Sequence, residues 1–207
     1  MNSHRRFAAL ALAAASVLAL SGCATGTPGG AGATGAGLGG VWPPPPEGRV
    51  VTQGTVLEAD GDVQLCLGAV AESYPPQCSG IPLHDWSWDG VEGAESASGV
   101  TWGAYALQGT FDGEAFTVVE PPIMLALYDP IKPEDPTEGK PGAGSEEQLA
   151  EVEDDLPDRL GDGYLSSYVD NGWLWVDVVW DDGTWQAAAD EEYGEDVVII
   201  RSVIRTL

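Results

Sequence analysis

The run GYLSSYVDNGWLWVDVVW, residues 163–180, constrains the fold more than any other stretch of this chain. At its centre stands Asn171-Gly172, a pair that readily takes positive φ at both central positions of a two-residue hairpin turn. Side chains alternate along a strand, so fixing the turn fixes the register, and a slip of one residue would exchange the two faces. Pairing outward sets Val169 against Leu174, Ser167 against Val176 and Leu165 against Val178 on one largely apolar face. The other face carries Tyr168 with Trp175, and Asp170 with Trp173.

The flanks of this hairpin read as helices. Upstream, Ser145 and Gln148 have the spacing of a capping box. Leu149, Val152, Leu156 and Leu160 then form an apolar stripe at helical period, and Gly161 supplies a stop. Pro157 is expected to kink or split this helix. Downstream, TWQAAADEEYG reads as a short helix ending at Gly194, in competition with a third hairpin through Asp182-Gly183. DVVIIRSVI reads as a buried strand. Residues 145–207 are thus expected to form a two-layer α-β-β-α-β module.

Residues 49–122 have a different texture. RVVTQGTVLEA is β-branched, Asp60-Gly61 turns it into DVQLCLG, and Asp112-Gly113 joins GVTWGAYALQGTF to EAFTVVE. Several short strands with turn signals predict a small OB-like β-barrel. LCLGAVAESYPPQCSGIPLHDWSWDG, between the strands, reads as an irregular loop stapled by its cysteines. Residues 123–144 are rich in Pro and Gly and read as a linker. The fold class is α+β.

The first 22 residues have another purpose. Arg5 and Arg6 precede Phe7–Leu20, an apolar run too short to span a bilayer but suited to a signal peptide. Leu20-Ser21-Gly22-Cys23 resembles the lipobox of bacterial lipoproteins. The resemblance implies cleavage before Cys23, diacylglycerol and palmitate on Cys23, and a lipid-anchored protein facing the extracytoplasmic side of the cell membrane. The competing reading is an ordinary secretory signal with a chance cysteine. Residues 23–48 have the composition of a flexible Gly/Ala/Pro tether, stiffened at Pro43–Pro46. Gly30–Gly35 matches G-x-G-x-x-G but lacks the strand before it and the helix after it, and is set aside.

GTVLE, LCLGAV, SYPPQCSG and WSWD together resemble an uncharacterised group of exported actinobacterial proteins, over roughly residues 50–120. The resemblance implies no activity. Export places Cys66 and Cys78 where disulfides persist, and they are the two cysteines left besides Cys23, so one intrachain bond is expected. A metal pair is the alternative, but His84 is the one histidine left to assist it.

Acidity narrows the partners. The chain has 33 acidic residues against eight basic ones, and Arg5 and Arg6 fall in the leader. Such a surface repels nucleic acid, although it also serves solubility alone. The catalytic motifs G-x-S-x-G and H-E-x-x-H are absent, and His84 beside Asp85 and Trp86 reads as a surface or packing residue. Asp158–Gly163 starts like a calcium loop but has Leu160 and Val169 where ligands belong. The face of Tyr168, Trp173 and Trp175 suits a sugar or a basic protein segment, unless it packs on the β domain or the first helix. The expectation is a membrane-tethered, non-enzymatic binding or interaction module for a protein or glycan. It needs no cofactor, metal or nucleic acid. The alternative is an extracytoplasmic hydrolase using carboxylates.

Overall fold

β1 (Val50–Ala59) is the spine of the barrel in the computed structural model, which describes residues 37–130 and 135–207. The leader, Cys23 and the tether through residue 36 lie outside the described residues. Along one side β1 pairs over its whole length with β5 (Val100–Phe111), and on the other it pairs with β2 (Asp62–Cys66). β3 (Ile81–His84) continues from β2 and runs parallel to β6 (Phe116–Val118), which returns to β5. The order β1-β2-β3-β6-β5-β1 closes a five-strand barrel. β4 (Glu95–Ala97) and β7 (Ile123–Met124) pair β5 from outside that circuit.

Local chemistry explains the closure. Asp60 and Gly61 both hold positive φ, 56° and 89°, as a tight β1–β2 turn requires. At Gly109 a Cβ would lie 1.9 Å from the Thr117 oxygen, so β5 and β6 approach more closely than any side chain allows. Val50, Val56, Leu65, Leu107 and Phe116 fill the interior. Trp86 and Trp88 pack on Tyr105, with ring centroids 5.3 and 6.3 Å from it. β3 lies inside the segment expected to be an irregular loop. It spans four residues and contains Pro82, so it carries neither length nor alternation as a signal.

The second module has the expected element order: α1 (Glu146–Leu160), β8 (Tyr164–Asp170), β9 (Trp173–Val178), α2 (Thr184–Tyr193) and β10 (Val198–Ser202). β9 lies central, antiparallel to β8 and parallel to β10. Asn171 and Gly172 hold φ of 49° and 81°, and Val169↔Leu174, Tyr168↔Trp175 and Ser167↔Val176 pair as the turn dictates. Beyond Ser166 the register departs from expectation. A bulge sets Tyr164, not Leu165, opposite Val178. Leu165 instead packs on the barrel core. Leu149, Val152, Leu156 and Leu160 of α1 bury against Leu174, Val176 and Val178.

Three further details differ from the sequence reading. Ser145 caps α1 through the Gln148 amide, but the Gln148 side chain reaches the Tyr193 oxygen rather than closing the box. α1 runs through Pro157 without a break. Proline lacks the N–H that would serve the Glu153 oxygen, one turn back, so one ladder bond is missing while the helix stays continuous. The linker does not separate independent bodies. Val179 and Ile204 bury in the barrel core, and β11 (Arg205–Thr206) pairs with Val50 and Val51 of β1.

Candidate functional site

The stretch expected to be free tether packs onto the second module from Gly37 onward. Leu38 buries in the α1–α2 core, a single apolar residue whose Gly/Ala surroundings give it no periodicity. Its amide donates to the Glu192 carboxylate at 3.0 Å, and its oxygen accepts from Arg159 Nε at 2.7 Å. Arg159 also grips both Glu192 oxygens, at 2.7 and 2.6 Å, and donates to the Tyr193 hydroxyl. This fork is the planar pairing that guanidinium and carboxylate favour. Arg159 holds the Glu192 carboxyl below the usual carboxylate range.

Farther along this strap, two indoles take over. Trp185 Nε1 donates to the Val41 oxygen and Trp180 Nε1 to the Pro44 oxygen, each at 2.8 Å. Trp42, between them, stands edge-on to Trp185 with centroids 5.6 Å apart and is 61% exposed. Trp185 is placed by Asp181, whose carboxylate accepts from the amides of Trp185 and Gln186 and starts α2. That contact decides the competition at Asp182-Gly183 in favour of the helix. Burial raises the Asp181 carboxyl above its ordinary value despite these donors.

The strap forms one wall of a crevice of about 620 Å³ between barrel and module. Leu65, Phe111, Val179 and Trp185 are its buried lining, and Tyr164, Leu165, Leu67 and Trp180 are half-buried along it. β2, β3 and the β5–β6 turn contribute the barrel side, and Gly161–Leu165 the facing side. The volume lies within the range of small-ligand sites, and the mix of apolar surface with few polar groups is typical of them. Glu114 and Asp162 supply carboxylates, and none of the lining residues is Lys, Arg or His. The turn carrying Glu114 is pinned by Asp112, whose side chain accepts from the amides of Ala115 and Glu114 at 2.8 and 2.9 Å. Those donors hold the Asp112 carboxyl below its ordinary value.

The aromatic residues singled out from the hairpin lie elsewhere and part company. Trp173 and Trp175 are buried, 6% and 8% exposed, in a cluster with Ile199, while Tyr168 is 44% exposed. Trp175 is covered by the stacked ring of Tyr168, centroids 6.3 Å apart, and Trp173 by the expected linker. Trp173 Nε1 donates to the Lys140 oxygen at 2.9 Å, and the neighbouring backbone is held by Gly142 N to Asn171 O. The expected linker therefore covers Trp173. Arg201 lies 5.4 Å from the Tyr168 ring and 5.0 Å from the Trp175 ring, paired with Asp177. The Trp175 indole nitrogen is buried without a hydrogen-bond partner.

Cys66 and Cys78 lie at disulfide distance, with Cα atoms 6.0 Å apart. His84 is exposed at the end of β3. Among the described residues no group of three or more His, Cys, Asp or Glu could hold a metal ion, and no helix is long and apolar enough to cross a membrane. The residues overlooked in the sequence are Trp42, Trp180, Trp185, Glu114 and Asp162. One signal was available: a tryptophan just before four prolines has no purpose in a solvated tether. No family model, curated protein or solved structure matches this chain significantly.

Proposed function

We propose that this protein is a lipid-anchored, extracytoplasmic binding module that holds its ligand in the crevice between barrel and α/β module. The observation that carries the reading is the crevice itself. It is ring-lined, of ligand size, free of basic side chains, and bordered by β2, β3 and the β5–β6 turn. We take the barrel as OB-like. Counted within the barrel, the strand order is 1-2-3-5-4-1 with the third strand parallel to the fifth. OB-type barrels bind ligands on strands two and three and on the loop between strands four and five, which here border the crevice. Fold analogy supports a site and names no ligand. The acidic surface disfavours nucleic acid.

Photocrosslinking on intact cells tests the site. A crosslinking residue at position 114 should capture a ligand that the same residue at position 95, outside the crevice, does not. Equal capture from both positions would remove the crevice reading. The anchor is tested separately. Cys23→Ala should release the protein from the membrane fraction, and a variant that still sediments after alkaline wash would overturn the lipobox. A hydrolytic reading would have to use Glu114 and Asp162, and Glu114→Gln should then abolish turnover without loss of binding.

A further inference from the structure

We infer that the crevice takes an organic cation whose charge is wrapped in apolar groups, an alkylated ammonium. This rests on the crevice being the ligand site. The rings of Trp42, Trp180, Trp185 and Tyr164 line it together with the carboxylates of Glu114 and Asp162. The face of an aromatic ring is negative and attracts a cation, indole most of all. An anionic ligand would meet two carboxylates and no basic side chain. A neutral polar ligand would leave the attraction of the two carboxylates and the ring faces unused. A cation with alkyl groups meets both conditions. Its charge is answered by carboxylates and rings, and its methyl groups bury against Leu65, Phe111 and Val179. A compact primary ammonium holds its water more tightly and fits such an apolar lining less well.

The same combination recurs twice elsewhere in the molecule. Arg201 stands over Tyr168 and Trp175 and pairs with Asp177, and Arg159 lies 5.7 Å from the Tyr193 ring and pairs with Glu192. In both, a cation is held by rings and a carboxylate, and in both the chain supplies that cation. At the crevice the chain supplies rings and carboxylates, and no basic side chain lines it. Trp42, packed edge-on against Trp185, keeps most of its surface exposed to a guest.

The test titrates full-length protein in nonionic detergent with choline and with its neutral carbon isostere, 3,3-dimethylbutanol, by calorimetry. Choline should bind saturably at one site, at least about tenfold more tightly than the isostere, and the difference should persist at 0.5 M salt, where diffuse attraction to the acidic surface is screened. Trp42→Ala and Glu114→Gln, both at exposed positions, should each weaken choline binding, with thermal melts confirming that the fold is kept. Equal affinity for the two probes, both weakened by Trp42→Ala, overturns the cation and leaves the crevice reading standing. Choline binding that ignores both substitutions, or that vanishes in salt, overturns the inference as diffuse surface attraction. Binding of a neutral oligosaccharide where choline does not bind also overturns it. If no probe binds at millimolar concentration the cation is again overturned, and the crosslinking experiment then decides the crevice independently.

Discussion

The indole of Trp185 donates to the main-chain oxygen of Val41, 144 residues earlier, at 2.8 Å. That bond ties the segment following the tether to the first turn of α2. Trp185→Phe keeps most of the ring and removes the donor, leaving the Val41 oxygen without its partner. It should cost about 1–2 kcal/mol in a denaturant melt. Trp180→Phe removes the equivalent but solvent-exposed bond to Pro44 from a half-buried ring and should cost well under 1 kcal/mol. Equal effects would mean that the two indoles do not differ in burial as described.

Acid should loosen the strap. The Glu192 carboxyl is held below its ordinary value, chiefly by Arg159, so the folded state binds its proton less readily than the unfolded chain does. Its contribution is complete above the unfolded value, about 4.3, and is lost as pH falls through the lowered folded value. Glu192→Gln should lower stability at neutral pH and flatten the melting curve's fall below about pH 4. Asp181 has the opposite sign. Its carboxyl is raised by burial, so it removes stability as pH climbs from about 3.9 through the folded value. Thermal melts from pH 3 to 7 of Glu192→Gln and Asp181→Asn separate the two.

The covered aromatic face makes a graded series. Trp173→Ala and Trp175→Ala should each cost roughly 3–5 kcal/mol, as large-to-small changes in cores do. Tyr168→Ala, at an exposed ring, should cost about 1 kcal/mol or less. Trp175→Phe should cost far less than Trp175→Ala, because it also removes a buried nitrogen that has no partner. If Trp173 tolerates alanine, the 135–144 segment does not cover it in solution.

The staple is open to direct measurement. Protein recovered without reductant and then unfolded should show no thiol labelling at Cys66 or Cys78. Replacing both by serine should cost about 2–4 kcal/mol, the usual worth of closing a short loop. Stoichiometric labelling at both positions would reopen the metal-pair reading.

How much of this was legible depended on how local the physics was. Asn171-Gly172 fixed a hairpin because turn geometry admits few residues, and the α1 stripe was readable because Leu149, Val152, Leu156 and Leu160 share one helical face. The bulge that throws Leu165 toward the barrel left no mark, since the alternation continues through it. β3 was hidden by its shortness and by Pro82. The crevice was out of reach for a different reason. Trp42, Glu114, Asp162 and Trp185 meet only after the barrel has closed and the module has docked, and no local pattern encodes that meeting. The burial of Trp173 also depended on a distant choice, the path of the 135–144 segment. Neither the β domain nor α1 supplied its cover.

Val50 and Val51 have β5 on one side, but β2 reaches only as far as Thr55 on the other. The gap is filled by Arg205 and Thr206 and closed by Leu207 N to Arg49 O. A barrel forming in chain order would therefore spend the interval before residue 205 with an unsealed strand margin, the kind of edge on which foreign chains stack. The pairing of β11 with β1 acts as a completeness check. A chain lacking those two residues should keep a barrel yet self-associate, so the loss of this margin is read from aggregation rather than from unfolding.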